Sequence, residues 1–219
     1  MNNDITLGDY LDFECPVDAN VVMVDPPYGI GKKYDDKKET KSYATHVNDL
    51  VKWSTAPWTI IFGPWPTLHD WMPHVPKPDR ILVWHRTWTQ PRGTTHWTHS
   101  ITPILIYVNG YARWNGPSRS DRLWHDCIDA HSSMGDTSRQ RSFGLKCPIR
   151  HPGVTGTSIS IKILKCIVSP GDHVVDPMCG LGSILVSAKR LGCKISGYEI
   201  VSEYKKYATK WLDAETDRT

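Results

Sequence analysis

Short apolar runs separated by polar, turn-forming stretches organise this chain, and most of these runs are too short to be helices. The plainest run is Val21–Val24, which contains three β-branched valines and is typical of a strand buried on both faces. The same reasoning predicts strands over 5–9, 58–63, 80–84, 101–108, 173–176 and 194–198. Helical spacing predicts helices over 46–53, around 66–72, over 184–191 and over 202–212. This alternation indicates an α/β fold with a mostly parallel sheet.

One apolar stretch fits two kinds of structure. Residues 158–168 have the spacing of a helix capped by Ser158, although the alternation of Ile159, Ile161 and Ile163 also suits a strand.

Two long polar stretches lie outside the pattern. Residues 29–45 are rich in lysine and contain two glycines, so we expect a mobile loop of the kind that closes over binding sites. An ordinary surface loop has the same composition. Residues 111–150 show neither helical nor strand periodicity and are expected to form an insertion on the sheet rather than part of it. We therefore expect residues 1–219 to form a single domain carrying one insertion.

Composition narrows the classes of protein to consider. The chain has no apolar run of about 18 residues, and its polar first residues do not resemble a signal peptide, so a soluble cytoplasmic protein is expected. The six cysteines include no Cys-x-x-Cys pair, which favours free thiols. The ten histidines lack a helical pairing around an acid; His96 and His99 are the closest pair, and we expect no metal site.

The positive charge is unevenly distributed. The net charge of +3 is too small to indicate nucleic-acid binding by itself. Residues 80–150, however, interleave arginines with tryptophans: Arg80, Arg86, Arg92, Arg113, Arg119, Arg122, Arg139, Arg141 and Arg150 with Trp84, Trp88, Trp97, Trp114 and Trp124. Such a mixture suits phosphate contacts and base stacking, and it equally suits a solvated surface over a core that contains tryptophans.

Asp25-Pro26-Pro27-Tyr28 follows the Val21–Val24 strand directly. Neither proline has an N–H group, so the carbonyl oxygens of this turn stay available as acceptors. Open α/β sheets bind ligands at the C-terminal ends of their strands. A carboxylate, free carbonyls and an aromatic ring at that position suit a planar base held by its amino group, although a proline-rich turn after a core strand looks the same.

A second candidate site follows strand 173–176, where Gly180-Leu181-Gly182 leads into a helix, another strand and Glu199. Glycines between a strand and a helix let the backbone approach a ligand. An acid at the end of the next strand can accept hydrogen bonds from two ribose hydroxyls. Such an acid fits either a dinucleotide or a nucleoside without phosphate. The third glycine of the dinucleotide fingerprint and the lysine of a phosphate loop are missing, but a Gly-x-Gly sequence alone does not decide between the two.

The first motif resembles the Asp-Pro-Pro-Tyr signature of the amino-methyltransferases, which methylate exocyclic amines of adenine or cytosine with S-adenosylmethionine. The resemblance implies that the Asp25 carboxylate and the Pro26 carbonyl bind the amine hydrogens, with Pro27 in the same turn, and that Tyr28 stacks on the base. It implies a Rossmann-like S-adenosylmethionine-dependent methyltransferase fold acting on a flipped-out base of double-stranded DNA. Residues 111–150 would then be the target-recognition insertion, a homodimer would be plausible, and a bacterium or a phage-infected host cell would be the natural setting.

The glycine loop resembles the Asp-Pro-Phe-x-Gly-Ser-Gly-Thr loop that binds S-adenosylmethionine in DNA amino-methyltransferases, with Met178, Leu181 and Ser183 as departures. The cofactor-binding residues implied by this resemblance are Asp9, Asp176, Met178, Cys179, Gly180, Gly182, Ser183 and Glu199.

The resemblance also implies how these residues divide the cofactor. Asp176 and the backbone of 178–182 would face the methionine end, Glu199 the ribose, and Asp9 the adenine. For Asp9, a turn-capping aspartate is the alternative. Cys179 is expected to be small apolar packing, since methyl transfer to an amine needs no covalent enzyme intermediate.

The order of the motifs, catalytic strand first and cofactor loop last, resembles the permuted β group of DNA methyltransferases. His151-Pro152 resembles the start of a cofactor-side motif of that family, but the Lys-Pro that normally follows is replaced by Thr155-Gly156. Contacts made from this segment are therefore open.

The Asp form of the catalytic motif favours adenine N6 over cytosine N4 as the target. An RNA adenine methyltransferase is disfavoured because that family usually has Trp in place of Tyr28. A nucleic-acid-binding subunit with a degenerate cofactor site is a further alternative, supported by the altered 151–158 segment. A nicotinamide oxidoreductase would not need the motif at Asp25.

Overall fold

A computed structural model describes residues 3–29, 31, 33–34, 37–38, 40–87, 100–116, 126–131 and 155–216. Its main sheet has eight strands: β1 (Asn3–Leu7), β2 (Ala19–Val24), β5 (Trp58–Phe62), β6 (Arg80–Arg86), β7 (Ile101–Val108), β8 (Cys127–Ala130), β9 (His173–Asp176) and β10 (Lys194–Glu199). A separate antiparallel pair is formed by β3 (Lys33–Tyr34) and β4 (Lys37–Lys38). The α-helices of the described residues are α1 (Tyr43–Trp53), α2 (Leu68–Trp71), α3 (Thr157–Leu164), α4 (Ser183–Arg190) and α5 (Ser202–Thr216).

The strands of the main sheet lie in the order β1-β10-β9-β2-β5-β7-β6-β8. The first five of these are parallel neighbours, β7 runs antiparallel to both β5 and β6, and β8 pairs in parallel with β6. The sheet is therefore mixed but mostly parallel, as predicted. β1 and β2, which follow each other along the chain, are separated in the sheet by β10 and β9.

Both faces of the sheet are covered, which explains the uninterrupted apolar run in β2. Val21 and Met23 belong to the core formed with α3, α4 and α5. Val22 and Val24 belong to the core formed with α1 and the Trp71 region. Because successive strand residues point to opposite faces, a strand between two helical layers needs apolar residues at every position.

Two of the differences between the predicted and the observed elements concern the edge of the sheet and the cap of α3. Residues 111–150 were expected to lie outside the sheet. This prediction is wrong for Cys127–Ala130, which form the edge strand β8. Four residues with one buried position are too short to show a period, and the strand is held by long-range pairing instead. The helix alternative for 158–168 is confirmed by α3, but its N-cap is Gly156. The Ser158 hydroxyl donates to the His131 carbonyl at 2.9 Å.

The described part of 29–45 contains β3, β4 and the start of α1 at Tyr43, so the expectation of one loop throughout is wrong there. Five residues of 29–45 and more than half of the arginine- and tryptophan-rich region 80–150 lie outside the described residues, so the lid and recognition roles stay predictions. Among the helices of the described ranges, none combines the length and the apolar character needed to cross a membrane.

Candidate active site

The two motifs meet because β2 and β9 are parallel neighbours. Val22 lies opposite Val175 in the register, so Asp25 and Asp176 both leave the sheet at its C-terminal edge. Neighbouring strands lie about 4.8 Å apart. β10 pairs with the other side of β9 and brings Glu199 to the same edge. The sequence motifs, about 150 residues apart along the chain, therefore form one site.

The Asp25 carboxylate is held from both sides. The Tyr28 hydroxyl donates to Oδ1 at 2.8 Å, and the Thr155 hydroxyl donates to Oδ2. Burial raises the pKa of Tyr28 well above its usual value, and the nearby Asp25 charge raises it further, so the phenol remains a donor. Its ring packs edge-on against Tyr43, with 6.0 Å between the ring centroids. Pro26 is buried and Pro27 is half-buried in the same turn.

The glycine loop after β9 is shaped by backbone hydrogen bonds. Asp176 is 2 % exposed, and its Oδ1 accepts from the Met178 N–H at 3.1 Å. Gly180 and Gly182 have positive φ angles of 52° and 85°. Gly182 is the N-cap of α4, whose first residue is the buried Ser183. The loop thus turns the chain sharply from the strand end into the helix.

Glu199 braces this loop from the next strand. Its Oε2 accepts from the Gly180 N–H at 2.8 Å, and its Oε1 accepts from the Val201 N–H at 2.7 Å. Burial raises the pKa of Glu199. From the sequence, Glu199 is expected to accept hydrogen bonds from the ribose. In the structure, its carboxylate also holds the backbone of the glycine loop in place. A carboxylate oxygen that accepts one N–H can also accept a hydroxyl.

Cys179 is core packing, as expected. Its side chain is 6 % exposed, and a Cβ placed on Gly197 would lie 3.2 Å from its sulfur. Burial raises the pKa of the Cys179 thiol well above its usual value, with the charges of Asp176 and Glu199 adding to the effect. A thiol kept protonated in this way is a poor nucleophile.

Asp9 caps the short 3₁₀ turn Tyr10–Asp12. Its Oδ1 accepts from the Leu11 N–H at 3.1 Å, and the residue is exposed. The alternative of a turn-capping aspartate therefore describes its present contact. The Gly8 N–H donates to the Glu199 carbonyl at 3.0 Å, so the turn lies beside the end of β10.

The site brings three carboxyl groups, those of Asp25, Asp176 and Glu199, together at one end of the sheet, two of them on buried residues. Burial raises the pKa of Asp176 well above its usual value, and the charges of Asp25 and Glu199 raise it further. Three carboxylates that repel one another at one sheet edge favour a cationic ligand, because a positive charge relieves both the repulsion and the cost of burial.

Residues 80–210 match the model of a family described as DNA methylase. The chain belongs to this DNA methylase family. Among curated proteins, it is similar to the Type II methyltransferase M2.DpnII of Streptococcus pneumoniae, with 35% identity over 145 residues. That match covers 62% of this chain and 51% of the relative, so the chain spans about half the length of this curated relative.

Solved structures share the fold of this DNA methylase. The M1.HpyAVI–SAM complex superimposes with a TM-score of 0.67 at 17% identity, covering 96% of this chain and 98% of that one. The PvuII DNA methyltransferase, described as cytosine-N4-specific, gives a TM-score of 0.66 at 14% identity, covering 97% and 89%. The predicted methyltransferase fold and the family resemblance are confirmed; the permuted group stays a prediction.

Sequence patterns did not predict that Thr155 and Arg86 belong to the site of this DNA methylase. Thr155 drew notice only as a departure from a motif, and no local pattern links it to Asp25, which lies 130 residues away. Arg86 was one arginine among many in its region. Its charge lowers the pKa of Tyr28 against the dominant effects, and its guanidinium carbon lies 5.7 Å from the Trp84 ring centroid.

Proposed function

We propose that this protein is an S-adenosylmethionine-dependent DNA methyltransferase that transfers a methyl group to the exocyclic N6 amine of a flipped-out adenine. The observation that carries the proposal is the meeting of Asp25 and the glycine loop at the ends of two neighbouring parallel strands. A base held at the first motif and a nucleoside held at the second would then share one edge of the sheet.

The residues present fit S-adenosylmethionine. The carboxylate cluster of Asp25, Asp176 and Glu199 suits a ligand that carries a sulfonium and an ammonium charge. Asp176 and the backbone of 178–182 would hold its methionine end, Glu199 its ribose and Asp9 its adenine. When bound, the cofactor supplies an electrophilic methyl group, whose transfer to an amine requires no covalent enzyme intermediate.

The protein's own task is to make a poor nucleophile attack. The lone pair of an exocyclic amine is delocalised into the ring, so the nitrogen must be oriented for reaction. The Asp25 carboxylate and the Pro26 carbonyl would each accept a hydrogen bond from the amine. These two hydrogen bonds would orient the lone pair of the nitrogen toward the methyl group. The Tyr28 ring would stack on the base while its hydroxyl holds Asp25. Positioning and a preorganised polar site then supply most of the acceleration.

DNA is the expected partner because the chemistry needs a base that is free of the duplex stack. The arginines and tryptophans of 80–150 provide phosphate and base contacts in this proposal, with 111–150 reading the target sequence and 29–45 closing over the flipped base. A cytoplasmic location in a bacterium or an infected host, and a homodimer, remain predictions.

Two alternatives make different predictions. The first is an N4-cytosine methyltransferase; the PvuII enzyme, described as cytosine-N4-specific, shares the fold at 14% identity. A nucleic-acid-binding subunit with a degenerate cofactor site is favoured by the departure at Thr155-Gly156 from the related motif. Calorimetry distinguishes this second alternative, since it predicts no binding of S-adenosylmethionine.

The test is methylation of unmodified genomic DNA by the purified protein with methyl-labelled S-adenosylmethionine, followed by digestion and chromatography of the nucleosides. Label in N6-methyladenine is the expected result. Label in N4-methylcytosine alone would overturn the choice of adenine, and DNA without label would overturn the proposed function. Asp25→Ala should abolish transfer, whereas Asp213→Ala, an exposed change on α5, should leave it unchanged.

A further inference from the structure

Thr155 and Tyr28 bind different oxygens of the Asp25 carboxylate. Thr155 is 4 % exposed, and its hydroxyl donates to Oδ2 while the Tyr28 hydroxyl donates to Oδ1. Each carboxylate oxygen therefore receives one of these two hydroxyl hydrogens. Both donors are neutral hydroxyls, and together they restrain the plane of the carboxylate.

The backbone that carries Thr155 is anchored to the cofactor half of the fold. Two residues later, the Thr157 hydroxyl accepts from an Arg190 nitrogen at 3.1 Å, and the Thr157 carbonyl accepts from Ser187 at 3.4 Å. Arg190 also donates two hydrogen bonds to the buried Glu215, at 3.1 and 2.5 Å. The position of Thr155 is thus set by α4 and α5, the helices that follow the glycine loop and the strand of Glu199.

The Thr155 hydroxyl therefore links the part of the fold that carries the glycine loop to Asp25 at the end of β2. Among the described residues, Tyr28, Tyr43 and Asp176 interact electrostatically with Asp25, and Arg86 acts on Tyr28. The charge of Asp25 raises the pKa of Asp176, and a hydroxyl that donates to a carboxylate favours the ionised form of that carboxylate. To accept a hydrogen bond from the target amine, the Asp25 carboxylate must be ionised and must point an oxygen toward the amine.

We propose that Thr155 is a positioning residue that orients the Asp25 carboxylate and keeps it ionised for binding the target amine. The role in amine binding rests on the proposed function; the effect on Asp25 itself does not. Thr155→Val removes the hydroxyl at nearly constant volume, Thr155→Ala removes it without adding a methyl group, and Thr155→Ser keeps it. Thr59→Val is a matched control, because Thr59 is equally buried at 4 % exposure and donates to Ser54 away from the site.

The first measurement is the titration of Asp25 by carbon NMR in protein labelled at the aspartate carboxyl carbons, with Asp25→Asn assigning the signal. Loss of the hydroxyl in Thr155→Val or Thr155→Ala should raise the Asp25 pKa by about one unit. Thr155→Ser should restore the wild-type value, and Thr59→Val should not change it. An Asp25 titration that is the same in wild type, Thr155→Val and Thr155→Ala would overturn the proposal.

The second measurement is methyl transfer to DNA. Thr155→Val should lower kcat about 10- to 100-fold with little change in KM for DNA, and should move the acid limb of the pH profile upward, with rescue by Thr155→Ser. A rise in KM for DNA alone, without the change in kcat or in the pH profile, would contradict the positioning role. If the Thr155 variants show the NMR effect but the wild-type protein methylates no DNA, the proposed function is refuted while the control of Asp25 by Thr155 is supported.

Discussion

Gly182 allows a quantitative test of how the glycine loop is built. It caps α4 with φ at +85°, and a Cβ placed on it would lie 2.9 Å from the Cβ of Ala208 in α5. Gly182→Ala therefore brings two separate costs, backbone strain and a steric clash. Gly171 offers a matched control, since it has φ at +90° and a Cβ there would meet nothing within 4 Å.

The magnitudes follow from these two geometries. A left-handed conformation costs a residue with a Cβ about 1–2 kcal/mol, and the stiffer unfolded chain returns about 0.4–1 kcal/mol. Gly171→Ala should thus lower the free energy of unfolding by about 1 kcal/mol. Gly182→Ala adds an overpacking cost of about 1–3 kcal/mol, because α5 must shift to admit the methyl group. Its total should be about 2–4 kcal/mol.

Urea denaturation measures both variants against the wild type. The midpoint for Gly182→Ala should lie roughly 1 M below that for Gly171→Ala, with similar slopes. Equal midpoints for the two variants would refute the reasoning, because the clash with Ala208 would then contribute nothing. A smaller loss in Gly182→Ala than in Gly171→Ala would show that α4 and α5 are not packed as described.

Two further predictions follow from titratable groups. The hydrogen bond with His173, at 2.8 Å, lowers the pKa of Asp18, so this contact stabilises the fold above the unfolded pKa of Asp18 and is lost as the pH falls through the lowered one. Because the Asp18 side chain is 58% exposed, Asp18→Asn should lower the free energy of unfolding by less than about 1 kcal/mol at pH 7. At a pH below the pKa of Asp18 in the folded protein, the variant and the wild type should be equally stable. The same difference in unfolding free energy at both pH values would contradict this prediction. Burial raises the pKa of Cys179, so Cys179→Ser should leave the rate of native thiol labelling by Ellman's reagent unchanged, whereas Cys127→Ser should remove a fast-reacting thiol because Cys127 is exposed. A fast phase lost in Cys179→Ser would contradict it.

Most strands could be predicted from local patterns. Ile101–Val108 and His173–Asp176 have the predicted bounds, and β2 extends the Val21–Val24 run by two residues. An apolar run of this kind shows its burial without knowledge of its neighbours. The edge strand Cys127–Ala130 escaped prediction because its stability comes from pairing with β6, while its own four residues carry almost no pattern.

The site divides in the same way. The sequence by itself determined that Asp25 ends a buried strand in a turn with free carbonyls, and that Gly180 and Gly182 lie between a strand and a helix, because bonded neighbours and local periodicity decide those features. Only the tertiary structure decided that the two turns are adjacent, and that Thr155 reaches Asp25. Strand order and long-range hydrogen bonds depend on which faces are buried together, which is a property of the whole packed chain and not of any window of its sequence.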